Sequence, residues 1–188
     1  SIVALDHSSS EFIVKASGIK NRYVIEKDSL LNPKRMKPKI KARNDDELSF
    51  TAEVSVFAAK EALKNAGLSP SDIDAVIVSA ANLQRAYPAI AIEVQNELGI
   101  EGFAYDMMVG CSASTFGINN AYCDIKSGKS SKVLVISPEI TSGHNNFKNR
   151  DGHFIFGDIC TAVVIEKNSQ SKNKFKILDT KLKTSFSN

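Results

Sequence analysis

DMMVGCSASTFGINNAYCDIKSG, residues 106–128, decides how this chain is read. An apolar run stops at Gly110, a cysteine follows at once, and small or hydroxylated residues lead into a helical pattern that stops at Gly128. The segment reads as a buried strand, a corner and a helix, with hydroxyl residues for its N-cap. At such a corner the first backbone N–H groups of the helix have no intrahelical partner, and the helix dipole favours negative charge. A thiol at Cys111 is thereby favoured as thiolate, the nucleophilic form, and Gly110, Ser112, Ala113 and Ser114 are small enough to let a substrate approach. Free cysteine is also among the most buried residue types, so on spacing alone a packing role for Cys111 stays open. Cys123, inside the helical pattern beside Tyr122, and Cys160, leading into a strand, are expected to be packing residues.

Outward from this corner the element types alternate. DAVIVSA (74–80), FAYDMMV (103–109), KVLVISP (132–138) and TAVVIEK (161–167) are short β-branched or apolar runs between turn residues, which suits strands buried on both faces. TAEVSVFAAKEALKNAG (51–67) carries apolar residues near helical spacing and stops at Gly67, with Pro70 beyond. PAIAIEVQNELG (88–99) begins on proline and ends on glycine, the asymmetry expected of a helix. Strands alternating with helices imply a layered α/β fold. LLNPKRMKPKIKARNDDELS (30–49) interrupts the rhythm with six basic residues and two prolines, and reads as a loop or insertion.

Composition narrows the function classes. The 188 residues suffice for one sizeable core, and 24 basic against 21 acidic residues leave a formal charge of +3, too small to argue for nucleic acid or membrane as partner. Three cysteines without tight spacing fit neither a disulfide framework nor a zinc site, so a reducing cytoplasm is the expected setting. Neither a leader pattern nor an apolar stretch of the roughly 20 residues needed to span a bilayer is visible. The histidines, His7, His144 and His153, have no second ligand at helical or turn spacing, and no metal site is expected.

The strand–cysteine–helix segment, the upstream SANLQRAYPAIAIEVQNELGI (79–100), the downstream KVLVISPEITS (132–142) and above all RDGHFIFGDICTAVVIE (150–166) resemble the ketoacyl-acyl carrier protein synthase III family of the thiolase superfamily. The resemblance runs from about Glu11 to about Asp179, with four motifs in the family's order. It implies a thiolase-like, five-layered αβαβα fold of two similar halves, of which residues 1–188 supply the N-terminal half. It also implies a cytoplasmic homodimer in which a cysteine takes an acyl group from acyl-coenzyme A and condenses it with malonyl acyl carrier protein, starting fatty-acid synthesis with no permanently bound cofactor. On this resemblance Cys111 is the catalytic nucleophile, with its own backbone N–H a candidate oxyanion donor. Arg150 and Phe12 then sandwich the adenine of coenzyme A, an arrangement suited to a guanidinium and a purine. Tyr87 matches an aromatic that reaches into the acyl pocket of the other subunit.

Departures from the family pattern are equally specific. Ala16 stands where many members carry an arginine near the coenzyme's phosphates, and the basic stretch Lys34–Arg43 is longer than usual. That stretch is either a solvated charged loop or a docking site for acidic carrier protein or coenzyme phosphates. None of the three histidines matches the family's catalytic one, which with an asparagine lies in the second half, and the first strand of the fold is missing too. The 188 residues are therefore expected to be a fragment or part of a longer chain, unable alone to condense acyl groups. Two alternatives remain. One is another thiolase-superfamily acyltransferase, resembling hydroxymethylglutaryl-coenzyme A synthase or acting in secondary metabolism; the other is a non-catalytic binding module.

Overall fold

The computed structural model describes residues 9–149, 152–172 and 174–186, so His7 and Arg150 lie outside the described residues. Its elements are, in order, α1 (Ser10–Ser17), α2 (Asp28–Leu31), α3 (Phe50–Ala66), β1 (Ala75–Ala80), α4 (Ile90–Leu98), β2 (Phe103–Met108), α5 (Ala113–Lys126), β3 (Lys132–Ile140) and β4 (Asp158–Glu166). The four expected strands and the three expected helices are all present, and the chain adds the short helices α1 and α2. The strands form one sheet in the order β2-β1-β3-β4. β1 runs parallel to both β2 and β3, with Ile77 opposite Tyr105 on one side and Val135 on the other.

The direction of the crossovers sets the layers. From β1 to β2 the chain moves one way along the sheet, and from β2 to β3 it steps back over β1. Right-handed connections then put α4 and α5 on opposite faces. Side chains obey the period of two along each strand. Val76, Val78, Leu134 and Ile136 pack with Ala52, Val56, Ala59 and Leu63 of α3 and with Ile90, Ala91 and Val94 of α4. Ala75, Ile77, Val133 and Val135 pack with Ala121 of α5 on the other face. These are three consecutive layers, helix, sheet and helix, of the layered α/β fold.

Only the central strands match the expectation of burial on both faces. β1 is buried throughout and β3 over its middle, whereas β2 is half-buried and β4 alternates, with Cys160, Ala162 and Val164 packed inward and Thr161 and Val163 exposed. Both are edge strands, and α5 covers the sheet over β1, β2 and β3.

The residues divide into two compact units. One comprises Leu48–Pro138 with the described residues of Cys160–Asn188, and holds the layered core just given. The other comprises the described residues of Ser1–Glu47 and Glu139–Ile159. Its organising group is the Asp158 carboxylate, which accepts from the Ile25 N–H at 2.9 Å, the Ser142 N–H at 2.7 Å and the Ser142 hydroxyl at 2.6 Å. Gly157 precedes it because a Cβ there would lie 2.9 Å from the Tyr23 carbonyl oxygen. Leu30, Met36 and Phe147 make a small buried cluster in this unit, with the Arg22 guanidinium 6.0 Å from the Phe147 ring centroid.

Candidate active site around Cys111

Cys111 sits where the sequence puts it, between β2 and α5, in a single 3-10 turn over Gly110–Ser112. Gly110 turns the corner with φ of 55°, a left-handed conformation that favours glycine. The thiol is exposed, which removes the packing role that spacing alone left open. The expected hydroxyl N-cap is absent: Ser112 occupies the N-cap position without a side-chain capping bond. The Ala113 N–H donates instead to the Gly110 carbonyl, and the first turn of α5 lies at the end of the helix where its dipole is positive.

Two contacts fix this first turn to the sheet. The Ser79 hydroxyl donates to the Ala113 carbonyl at 2.5 Å, and Ser114 donates to the Ser137 hydroxyl at 2.9 Å. About one turn on, Gly117 meets the sheet so closely that a Cβ would lie 2.9 Å from Val135 Cγ1 and 3.0 Å from Ser79 Cβ. Position 111 is thus held by a helix seated directly on β1 and β3, at the carboxyl ends of the parallel strands where ligands of open α/β sheets bind.

Asp106, which the sequence reading passed over, anchors the neighbouring loop. Its carboxylate accepts from the N–H groups of Ile90 and Ala91, both at 2.8 Å, and so caps α4 from β2. Burial pushes its carboxyl above the usual range, against the pull of the two N–H donors, and the charge of Glu93 pushes the same way. Glu93 in turn accepts from the Ser49 N–H at 2.8 Å and hydroxyl at 2.7 Å, with Arg85 at 3.8 Å. Gln84 accepts from the Thr51 N–H at 3.0 Å. These bonds tie both ends of the 84–90 segment, and Tyr87 between them is 90% exposed.

Cys160 packs as expected: it lies in β4 against the core, and burial pushes its thiol up to about 11. Cys123 does not, being exposed on α5, because its position on the helix faces away from the sheet. Phe12 lies on α1 in the other unit, 43% exposed, with Ala16 one turn on and also exposed. His153 is buried and His144 exposed, and among the described residues no three ligating side chains gather as a metal site would require. Among the same residues no helix is long and apolar enough to cross a membrane.

Known proteins are similar to this chain in sequence and fold. Residues 105–185, which contain the corner and β4, match the family model of 3-oxoacyl-[acyl-carrier-protein] synthase III. Beta-ketodecanoyl-[acyl-carrier-protein] synthase of Pseudomonas aeruginosa is 54% identical over 187 residues, 98% of this chain and 53% of that protein. Beta-ketoacyl-[acyl-carrier-protein] synthase III of Agrobacterium fabrum is 35% identical over 160 residues, 85% of this chain and 43% of that protein. The crystal structure of 3-oxoacyl-[acyl-carrier-protein] synthase III from Aquifex aeolicus superposes with a TM-score of 0.69 at 30% identity, over 86% of this chain and 46% of that one. The Thermus thermophilus synthase III gives 0.70 at 27%, over 89% and 46%. The fold is thus thiolase-like. The chain matches the beta-ketoacyl-[acyl-carrier-protein] synthase III family, and it spans about half the length of the curated relatives it matches.

Proposed function

We propose that the protein containing this chain is a beta-ketoacyl-acyl carrier protein synthase of the synthase III type, with Cys111 as its nucleophile. The observation that carries the reading is an exposed thiol at the mouth of an uncapped helix, within a sequence 54% identical to a beta-ketodecanoyl-[acyl-carrier-protein] synthase. Chemistry follows from that position. The Cys111 thiolate attacks the carbonyl carbon of an acyl thioester, the carbonyl oxygen takes the negative charge, and N–H groups at the helix start stabilise it. Collapse of the adduct expels the coenzyme A thiolate and leaves acyl-S-Cys111. Exchange between two thioesters is close to isoenergetic, which makes cysteine suited to the relay.

In the second half-reaction malonyl carrier protein loses carbon dioxide, its methylene carbon attacks the acyl carbonyl, and the Cys111 sulfur leaves. The product is a beta-ketoacyl carrier protein two carbons longer than the primer. A ten-carbon ketoacyl product, as in the name of the relative, requires an eight-carbon primer, so octanoyl-coenzyme A is the donor proposed here. Phe12 and Arg150 are proposed to hold its adenine. Tyr87, exposed on a loop anchored at both ends, is proposed to reach a second subunit's acyl pocket, in a cytoplasmic homodimer. No permanently bound cofactor is needed, since every step moves electron pairs between substrate carbonyls and one thiol. Incubating the intact protein with octanoyl-coenzyme A and malonyl carrier protein tests the reading. Beta-ketodecanoyl carrier protein is the expected product, and its absence while the protein is acylated would restrict the protein to acyl transfer.

A further inference from the structure

Asp106 is the one charged residue of β2, opposite Val78 of β1 and five residues before Cys111. Helix α4 has no cap of its own, since Ala89 stands at its N-cap without a side-chain bond. The Asp106 carboxylate takes that place from the strand, one oxygen for the Ile90 N–H and the other for the Ala91 N–H, both at 2.8 Å. The helix dipole favours the negative charge there, and bonds to an ionised acceptor are the stronger kind. A capping side chain at position 89 would satisfy α4 alone. A cap from β2 ties α4 to the strand that leads to the nucleophile.

No helix or strand occurs between Ala80 and Ile90. Leu83 packs against the core, and the Gln84 amide oxygen accepts from the Thr51 N–H at 3.0 Å and from its hydroxyl at 3.2 Å. Arg85 stands 3.8 Å from Glu93, whose carboxylate also takes the Ser49 N–H and hydroxyl. Between Arg85 and Ile90 remains an arm of four residues, 86–89, bearing the exposed Tyr87. Four residues span at most about 14 Å, so two fixed ends leave the ring little freedom of position.

We propose that Asp106 is a positioning residue for acyl-chain selection: by holding the start of α4 to β2 it sets where the Tyr87 arm projects. The inference rests on the reading of Tyr87 given above, as an aromatic of an acyl pocket. Asp106 touches neither acyl group nor coenzyme and acts only through the arm. Its loss therefore changes which acyl-coenzyme A is preferred, and Tyr87 must be present for that change to occur.

The test measures Cys111 acylation of the intact protein by hexanoyl- and by octanoyl-coenzyme A, as the ratio of the two second-order rate constants. Both are taken on one preparation, so a loss of folded protein cancels. Tyr87→Ala is expected to shift the ratio about tenfold, the scale of a methylene's contact in an apolar pocket. Asp106→Ala shifts it in the same direction, Asp106→Asn, which keeps one acceptor oxygen, shifts it less, and Asp106→Ala adds nothing in the Tyr87→Ala background. Gln84→Ala, which frees the other end of the arm, gives the same direction of shift and serves if Asp106→Ala does not fold. A ratio unmoved by the Asp106 and Gln84 variants, while Tyr87→Ala moves it, overturns the inference. So does an Asp106→Ala shift that persists undiminished without Tyr87, the mark of a structural effect that bypasses the arm. A ratio unmoved by Tyr87→Ala itself overturns the reading of Tyr87, and the inference with it.

Discussion

Gly117 of α5 rests against Ser79 of β1 with no room for a side chain: a Cβ added to the glycine would stand 3.0 Å from the serine Cβ. Ser79 also donates to the Ala113 carbonyl, so one residue of β1 sets both the depth and the register of the helix that follows Cys111. Gly117→Ala forces the helix outward. The expected cost is about 1–3 kcal/mol of stability, read as a lowered denaturant midpoint, with slower acylation of Cys111. Unchanged stability and unchanged acylation would mean that α5 is not seated by this contact.

Asp106→Ala removes the acceptor of two N–H groups at the start of α4. A loss of about 1–3 kcal/mol is expected, the range for a lost cap and an orphaned charged hydrogen bond. The sign of the pH effect is fixed by burial. Because the carboxyl is raised in the fold, the folded state binds its proton more tightly than the unfolded chain, and this group's contribution declines as pH rises through the window just above the ordinary carboxylate value. Asp106→Asn abolishes that slope, which urea titrations between about pH 3 and 7 would reveal.

How much of this was legible in the sequence depends on distance along the chain. The strands announced themselves as apolar runs, and α3, α4 and α5 by spacing and terminal glycines; the Cys111 corner is built from neighbours, and so it was legible too. Asp106 was not, because its partners lie 15 and 16 residues upstream and an aspartate inside an apolar run gives no sign of which helix it will cap. Asp158 likewise gathers Ile25 and Ser142 across the sequence. The outward turn of Cys123 and the partial exposure of β2 and β4 depend on which faces meet, a tertiary fact. α1 and α2 were missed because eight and four residues carry too little periodicity.

Alkylation should separate the three thiols by exposure and burial. At pH 8 iodoacetamide is expected to label Cys111 and Cys123, both exposed, and to spare Cys160. The folded state keeps the Cys160 proton up to about 11, against an ordinary value of 9.0, so label appears there only toward that pH. The same shift makes the stability contributed by Cys160 complete below about pH 9 and lost as pH climbs toward 11. Peptide mapping after labelling at a series of pH values checks both statements. Rapid modification of Cys160 at pH 8 would contradict them.

Phe12→Ala and Arg150→Ala are expected to raise the Michaelis constant for acyl-coenzyme A several-fold, by about 1 kcal/mol of lost stacking or cation–π contact, and to leave the turnover number close to unchanged. That split marks uniform binding. A fall in turnover number alone would place these residues elsewhere in the reaction.

The central claim is that the thiol at the β2–α5 corner accepts the acyl group. Intact protein incubated with octanoyl-coenzyme A, then digested and mapped by mass spectrometry, tests it most directly. One octanoyl group on the peptide containing Cys111, removed by hydroxylamine and absent from a Cys111→Ser variant, is the predicted result. Octanoyl label on Cys123 or Cys160 with none on Cys111 would contradict it.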